Sequence, residues 1–271
     1  MNCLSPIHIR NEKPWKHHGF LYLTVPCGKC EACQKRKQQE WFVRLKYEQK
    51  FSDFAVFVTL TYNDENLPSD LNVKKCDVQL YHKRLRQLLP KEFSHFRYYL
   101  TSEYGPETQR PHYHGIYFGI PPNYYSLIEK AWSKGFVKYD EINDNRIRYV
   151  VGYITEKLFV PPGREKLFNL ISKNLGSCYI DKVGRQFNTE IDRMYVPLYD
   201  KKYVLPRYYK DKLFSDTRKE EFEKRCLERA QELEDKRIEK LGRESYYSTI
   251  AAERDLFAAK VREQHKKKKQ I

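Results

Sequence analysis

Two histidines separated by one residue, His112 and His114, have the types and spacing most typical of a metal site in this chain. They stand in the run HYHGIYFG, whose β-branched and aromatic residues predict a strand. Because alternate side chains share one face of a strand, both imidazoles can contact one cation, while Tyr113 points to the opposite face. The alternative is a pair of ordinary strand histidines on a wet sheet face.

A carboxylate on the preceding predicted strand can complete this set. Residues 96–104, FRYYLTSEY, predict that strand, and Glu103 lies near its end. A turn rich in glycine and proline separates the two strands, so we expect a hairpin that brings Glu103 beside the histidines. Two nitrogens and one oxygen, with open positions, suit Mn²⁺, Mg²⁺ or another divalent ion that also holds a phosphate oxygen.

Tyr149, Tyr153 and Lys157 repeat every four residues in a predicted helix over 146–158. Side chains at this spacing lie on one stripe, so the helix can present two phenolic oxygens to the same place. A phenol is a poor nucleophile at neutral pH because its pKa is about 10, and a divalent ion with a nearby ammonium would favour the phenolate. The alternative is an aromatic stripe that packs on the sheet, in a chain with 22 tyrosines.

Three of the seven cysteines, Cys27, Cys30 and Cys33, stand together in the segment CGKCEAC. C-x₂-C on a glycine-bearing turn is the spacing of a structural zinc site, and Cys3 is a fourth thiolate that would fasten the N-terminal residues. The alternative is reduced thiols in a loop. The odd number of cysteines and the lack of a secretory signal at the start of the sequence argue against a disulfide framework and predict a reducing cytoplasm.

The charge balance predicts an anionic partner. The chain has 51 Lys and Arg residues against 36 Asp and Glu, a net charge of +15, so nucleic acid is the expected partner. No apolar run approaches the roughly 20 residues of a membrane helix, and no G-x-x-x-x-G-K-[ST] loop occurs, so we expect neither a membrane role nor a helicase domain. The mixed charges after about residue 216 indicate solvated helices and a lysine-rich tail.

The elements that must position these residues are predicted in the order β-α-β-β-α-β-α. A strand over 54–62 comes first, after a loop-like N-terminal stretch and a basic helix from Gln34 to about Phe51. This order predicts an α+β fold, a ferredoxin-like antiparallel sheet with helices on one face, with the tyrosine helix added against the histidine-bearing strands. The expected regions are a Cys-rich segment with the basic helix (1–53), a core (54–160), an irregular Tyr-rich extension (161–214) and a charged helical C-terminal region (215–271).

Several short blocks occur in the order and approximate spacing of the HUH endonucleases that initiate rolling-circle replication. They are FVTLTY (57–62), the block from EYG to RPHYHGIYFG (103–119) and YVVGY (149–153). Further blocks resemble the replication initiation proteins of gokushovirus-type microviruses, the small icosahedral single-stranded DNA phages. These are PCGKCEAC (26–33), TLTYNDENLP (59–68) and LPRYY (205–209), so that the resemblance spans about residues 1–213.

The resemblance implies roles for particular residues. His112 and His114 would be the ligands of the His-hydrophobic-His motif, and Glu103 the third ligand. Tyr149 and Tyr153 would be the paired nucleophiles.

The same resemblance implies a reaction and its partners. One tyrosine would attack the origin phosphodiester of single-stranded DNA, stay joined to the 5′-phosphate and free a 3′-hydroxyl; the other would cut the regenerated origin. Lys157 would assist on the phosphate side, with Mn²⁺ or Mg²⁺ as cofactor. Residues 54–160 would be the HUH endonuclease core, acting with host DNA polymerase and helicase in the cytoplasm of the host bacterium.

Two other functions share parts of this pattern. A ferredoxin-like sheet with exposed aromatics also describes a non-catalytic nucleic-acid-binding module of the RNA-recognition type. An HUH transposase or plasmid relaxase would share the chemistry and differ in its substrate.

Overall fold

A computed structural model describes most of the chain, in four stretches. They are residues 3–12, 21–105, 107–156 and 160–268. The chain divides into two compact units, of which the larger is Gln38–Tyr209 and the smaller combines Met1–Lys37 with Lys210–Ile271. Among the described residues, no helix combines the length and the apolar character that crossing a bilayer requires.

The described residues form nine strands and eight helices, numbered here along the chain. The strands are β1 (Ile7–Arg10), β2 (Tyr22–Val25), β3 (Ala55–Tyr62), β4 (Arg97–Tyr104), β5 (Pro111–Phe118), β6 (Gly135–Asp140), β7 (Asn169–Ile171), β8 (Tyr195–Leu198) and β9 (Lys201–Val204). The helices are α1 (Glu31–Lys50), α2 (Lys75–Leu88), α3 (Tyr125–Trp132), α4 (Asp144–Glu156), α5 (Arg185–Thr189), α6 (Arg207–Leu213), α7 (Asp216–Leu241) and α8 (Arg243–Lys268).

A five-stranded antiparallel sheet, in the order β6-β3-β5-β4-β7, is the centre of the larger unit. The predicted element order β-α-β-β-α-β-α is confirmed from β3 to α4. Strand β5 lies between β3 and β4, so the connection through α2 crosses over it, as in a split βαβ unit. The fifth strand, β7, was not predicted, because three residues are too few to show an alternating pattern.

Helices α2 and α3 cover one face of this sheet. Alternate residues of β3 point to that face, where they pack with Tyr113 and Tyr117 of β5 and with Trp132 of α3. These side chains are almost completely buried, which makes this layer the main apolar core. The expectation that Tyr113 points away from the histidines on either side of it is therefore confirmed.

The opposite face of the sheet also carries helices, so the prediction of helices on one face was wrong. The ring of Trp41 in α1 lies 5.1 Å from that of Tyr99 in β4, edge to face. Gln38 of α1 donates from Nε2 to the backbone carbonyl of Gly152 in α4, at 3.1 Å. The many basic residues of α1 made it resemble an exposed helix, whereas its apolar residues, including Phe42 and Leu45, are fully buried.

A buried carboxylate ties α1 to the sheet. Glu48 is fully buried and forms an ion pair with Arg97 at the start of β4. Its Oε2 accepts the backbone N–H of Gly176 at 2.7 Å. Since a buried charge without partners is strongly destabilising, these contacts fix the position of α1 against β4.

The block LPRYY, which the sequence analysis singled out, stabilises the same helix. The Arg44 guanidinium of α1 lies between the rings of Trp41 and Tyr208, about 4 Å from each centroid, and it donates two hydrogen bonds to the carbonyl of Leu175. The hydroxyl of Tyr209 donates to the carbonyl of Gly176 at 2.8 Å. The two tyrosines of this block therefore have structural contacts.

The smaller unit contains an antiparallel pair of short strands and two long helices. Strands β1 and β2 pair over four residues each, although the sequence predicted only loop there. Helices α7 and α8 meet at Gly242, near the predicted break, and an ion pair of 2.8 Å joins Arg237 to Glu253. Within the larger unit, the stretch expected to be irregular contains β7, β8, β9 and α5.

A buried histidine in α2 makes the stability of the larger unit depend on pH. Nε2 of His82 lies 2.9 Å from the Tyr117 hydroxyl, and its ring stacks on that of Tyr98 at 3.8 Å. Burial, together with the positive charge of Arg86, lowers the pKa of His82 to about 3. The imidazole is therefore neutral in the folded protein at every pH above that value.

We expect the folded state to lose stability as the pH falls from about 6.5 towards 3. Below about 6.5 the unfolded chain binds a proton at His82 that the folded chain excludes, which costs up to about 1.4 kcal/mol per pH unit. In His82→Phe, the free energy of unfolding measured with urea should decline less steeply over this range. An exposed control, His95→Ala, should keep the wild-type slope. Equal slopes in wild type and His82→Phe would contradict a neutral buried His82.

Candidate functional site

The hairpin of β4 and β5 brings Glu103 and the two histidines onto one face of the sheet. Glu103 is directly opposite His112 in the antiparallel register, and Thr101 is opposite His114. Directly opposed residues point to the same face, and diagonal neighbours lie within side-chain reach. The hairpin predicted from the sequence is therefore present, with Glu103 on the histidine side.

The three side chains converge on one point. Oε2 of Glu103 lies 2.7 Å from Nε2 of His114 and 3.3 Å from Nε2 of His112. One ligand atom from each residue lies within 4.8 Å of the others, so this group could hold a metal ion. All three side chains are largely buried, with exposed fractions between 10% and 18%, so water screens the cluster only weakly.

The remaining nitrogen of each imidazole has its own partner. Nδ1 of His112 lies 3.1 Å from the carbonyl oxygen of Arg110, and Nδ1 of His114 lies 3.1 Å from Oγ1 of Thr59. A carbonyl only accepts, so Nδ1 of His112 carries the proton and Nε2 keeps its lone pair. Metal-binding histidines are commonly oriented by such hydrogen bonds on the outer nitrogen.

The electrostatics of the cluster favour a positive charge at its centre. Burial alone would raise the pKa of the Glu103 carboxyl, but the contacts with His112 and His114 outweigh it and hold the pKa well below its usual range. Nε2 of His114 is buried and has no hydrogen bond of acceptable geometry among the described residues, although the carboxylate is close. A divalent cation fits this set, because it would satisfy the nitrogen lone pairs and the carboxylate together.

Helix α4 places the two tyrosines over this cluster. Its first turn is capped by the side chain of Asn143, whose Oδ1 accepts the backbone N–H of Arg146 at 2.9 Å. Ile147, Val150 and Val151 form the buried stripe of the helix. This stripe has the i, i+3, i+4 spacing of an amphipathic helix that packs on a sheet.

Tyr149 and Tyr153 both lie next to His114. The Tyr149 ring is 5.2 Å from the His114 ring, edge to face, and its hydroxyl donates to Oε2 of Glu103 at 3.0 Å. The Tyr153 ring is nearly parallel to that of His114, at 6.2 Å. The two tyrosine rings are 5.0 Å apart, so one helix brings both phenols to the same cluster.

The two tyrosines differ in exposure. Tyr149 is 45% exposed, whereas Tyr153 is only 3% exposed. Burial, followed by the negative charge of Glu103, raises the pKa of Tyr153 far above its usual value. Lys157, the third residue of the predicted stripe, lies outside the described residues.

The four cysteines singled out in the sequence come together in the smaller unit. Sγ of Cys3 lies 3.5 Å from Sγ of Cys27 and 3.7 Å from Sγ of Cys30, and all four sulfurs, including that of Cys33, lie within 4.8 Å of one another. Sulfurs bound at 2.3 Å to a tetrahedral zinc ion are about 3.8 Å apart, so the spacing fits zinc. A disulfide would need about 2.05 Å, and all four residues are free thiols.

Backbone N–H groups point at these sulfurs. Cys30 and Lys29 donate to Sγ of Cys27, and Leu4 donates to Sγ of Cys30. Burial alone would raise the pKa of the Cys30 thiol, but hydrogen bonds from the N–H groups of Cys33 and Leu4 lower it to about 6. Burial and the neighbouring Cys30 raise the pKa of Cys33 to about 12. The cluster thus stabilises thiolate, the form that binds metal.

Two residues that orient the histidines were not identified from the sequence. Thr59 stands on β3 opposite His114, and the carbonyl of Arg110 belongs to the turn before β5. The alternation of Thr59 and Thr61 among apolar residues in FVTLTY marked a polar face of that strand. A backbone carbonyl leaves no comparable signal in a sequence.

Comparison with known proteins places this chain among phage replication proteins. Residues 55–158 match the family described as Replication-associated protein ORF2. That range contains the Glu103, His112 and His114 cluster and both tyrosines of α4. No solved structure is significantly similar to the chain.

Three curated relatives are all replication-associated proteins of microvirus-type phages. VP4 of Bdellovibrio phage phiMH2K is 29% identical over 214 residues, which cover 69% of this chain and 67% of the relative. ORF2 of Spiroplasma virus 4 is 28% identical, covering 83% and 86% respectively. ORF4 of Chlamydia phage 1 is 27% identical, covering 70% of this chain and 53% of the relative. The resemblance to microvirus replication proteins predicted from the motifs is confirmed.

We expect purified protein to carry about one tightly bound zinc ion per chain at the four cysteines, separate from the exchangeable ion of the histidine cluster. Cys30→Ser should lose that zinc in elemental analysis, because a neutral hydroxyl replaces a thiolate ligand. Cys76→Ser, a change at an exposed cysteine outside the cluster, should keep it. Wild-type protein without zinc, after reducing and chelator-free purification, would identify the four residues as free thiols.

Proposed function

We propose that this chain initiates rolling-circle replication by nicking and rejoining single-stranded DNA at a viral origin. On this proposal its sheet is the ferredoxin-like sheet of an HUH endonuclease. The observation that carries the proposal is the hydrogen bond from the Tyr149 hydroxyl to Glu103, which places a half-exposed phenol against two histidines and a carboxylate. The names of the relatives support the replication role, and the geometry supports the chemistry.

His112, His114 and Glu103 would hold a divalent cation, Mn²⁺ or Mg²⁺. When bound, that ion supplies positive charge to the scissile phosphate. The protein residues orient the imidazoles through Arg110 and Thr59 and exclude most water from the cluster. They also place a phenol at the edge of that charge, where phenolate is favoured over phenol.

The proposed step is a phosphoryl transfer to tyrosine. Oη of Tyr149 attacks the phosphorus, the P–O3′ bond breaks, and a Tyr–O–P bond to the 5′-phosphate forms. The phenolic proton leaves through the hydrogen bond to Glu103, and the departing 3′-oxygen takes up a proton. Because one phosphodiester replaces another, the reaction needs no nucleoside triphosphate, and attack by the 3′-hydroxyl reverses it.

The different exposures of the tyrosines set their order. Tyr149 is accessible and already contacts Glu103, so we assign it the first cut. Tyr153 is buried with a raised pKa, so it needs a change in its surroundings before it can attack. Formation of the first adduct, which engages Tyr149, would supply such a change. Lys157, one turn further along, remains a predicted phosphate-side helper.

The partners follow from the products. A free 3′-hydroxyl is the primer of a DNA polymerase, and the chain carries no sequence motif of an NTP-driven helicase. We therefore propose that host polymerase and helicase act with it in the host cytoplasm. The net charge of +15 suits a single-stranded DNA substrate.

Tyr149→Phe should lower covalent adduct formation by at least about 10³-fold, because the attacking oxygen is gone. The measurement uses 3′-labelled single-stranded oligonucleotides that tile the viral genome, with denaturing gels to detect labelled protein. Tyr153→Phe should retain the first adduct, and the double variant should form none while still binding DNA.

Tyr247→Phe, a change at an exposed tyrosine of α8, is the matched control and should behave as wild type. An adduct in the double variant would show that another nucleophile acts. A wild type that binds these oligonucleotides but never forms an adduct would support the non-catalytic binding module instead.

His114→Ala should reduce nicking by more than about 100-fold, since it removes a cation ligand and leaves Glu103 without its nearest partner. Excess chelator should have the same effect on wild type, and added Mn²⁺ or Mg²⁺ should restore only the wild type. His95→Ala, at an exposed histidine, should leave the rate unchanged. Full activity of metal-free wild type would rule out the cation.

A further inference from the structure

A row of side chains runs across four strands on the face that carries the candidate site. In the sheet register, Glu103 is opposite His112, His112 is opposite Thr61, and Thr61 is opposite Phe136 of β6. Residues directly opposite one another point to the same face. Phe136 therefore shares its face with the histidine cluster, two strand spacings or about 10 Å from His112.

Phe136 is the most exposed phenylalanine or tyrosine among the described residues, with 69% of its surface accessible. It stands on β6, an edge strand of the sheet, and its neighbours in the adjacent strand are the small, partly exposed Thr59 and Thr61. On this same face, Phe57 at the other end of β3 is buried. The open end of the face thus presents one flat aromatic ring beside a low floor of threonines.

Positive charge accompanies the ring. Lys138 lies two residues along β6 and so points to the same face, opposite Thr59. Its side chain is 75% exposed, and its ion pair with Asp140 is long, at 3.9 Å. Arg146 holds the same carboxylate more closely, at 2.8 Å. The Lys138 ammonium is consequently available to an external anion.

An exposed aromatic ring beside a lysine is the arrangement that binds single-stranded nucleic acid without reading its sequence. A base stacks on the ring, which every base can do, and the cation contacts the adjoining phosphate. A duplex cannot use such a ring, because its bases are already stacked on each other. The occupant that fits this end of the face is therefore an unpaired nucleotide.

We propose that Phe136 is a stacking platform for a base of single-stranded DNA close to the scissile phosphate, and that Lys138 contacts the phosphate beside that base. The proposal rests on the function proposed above, since it places the DNA strand along the row from Glu103 to Phe136. It adds a substrate subsite on β6, outside the cation ligands and the tyrosines. Neither residue would take part in the chemical step.

The test measures binding of two fluorescein-labelled single strands by fluorescence anisotropy, in the Tyr149→Phe background so that no cleavage occurs. One strand is a thymidine oligomer, and the other is an abasic deoxyribose-phosphate oligomer of the same length. Phe136→Leu should weaken binding of the thymidine strand by about five- to 150-fold, the range for loss of one stacked base, and leave the abasic strand unaffected. Phe136→Trp should bind the thymidine strand at least as tightly as the parent.

Lys138→Gln should instead weaken both strands and reduce the slope of log K against log salt by about 0.7, the loss of one phosphate contact. Phe54→Leu, at a phenylalanine exposed just before β3, is the matched control and should change neither affinity. Equal affinities of Phe136→Leu and its parent for the thymidine strand, or equal losses on both strands, would overturn the stacking subsite.

Failure of the subsite and failure of the proposed function give different results. If wild type forms the covalent adduct but Phe136→Leu binds like its parent, only the subsite is wrong. If Phe136→Leu loses base-dependent binding but wild type never forms an adduct, the subsite stands and the nicking function falls.

Discussion

One carboxylate oxygen determines the arrangement of the candidate site. Oε2 of Glu103 lies within 3.3 Å of Nε2 of His112 and of His114, and it accepts the Tyr149 hydroxyl. A largely buried carboxylate is unstable without such partners, so each element that carries one must keep its place. The pairing of β4 with β5 fixes the histidines, and the packing of α4 on the sheet fixes the tyrosine. A shift of that pairing by one residue would turn the histidines to the α2–α3 face.

The sheet can hold this geometry because helices cover both of its faces. On one side, α2 and α3 bury an almost continuous aromatic layer against β3 and β5. On the other, the Glu48–Arg97 ion pair and the Arg44 stack hold α1, and α1 in turn contacts α4 through Gln38. The candidate site therefore lies on rigid elements, and only the end of the face near Phe136 stays open. Rigid support of this kind is what positions catalytic groups accurately.

Much of the core and of the site follows from local sequence patterns. Alternation in β3 and β5 gave the strands, their faces and the convergence of His112 with His114, and the turn between β4 and β5 indicated the approach of Glu103. Periodicity could not show which side of the sheet α1 covers, because burial of a residue such as Glu48 depends on distant partners. Strands of three or four residues, as in β7, are too short for a pattern. The unequal exposure of the two tyrosines likewise arises only when α4 meets the sheet.

The division of the chain has a consequence for its synthesis on the ribosome. The larger unit is one continuous stretch, whereas the smaller unit joins residues from both ends of the sequence. Domains generally fold as units while the chain emerges. The sheet, the cation ligands and α4 can therefore assemble before residues 210–271 exist. The four cysteines are translated first, yet the compact unit to which they belong is the last to be finished.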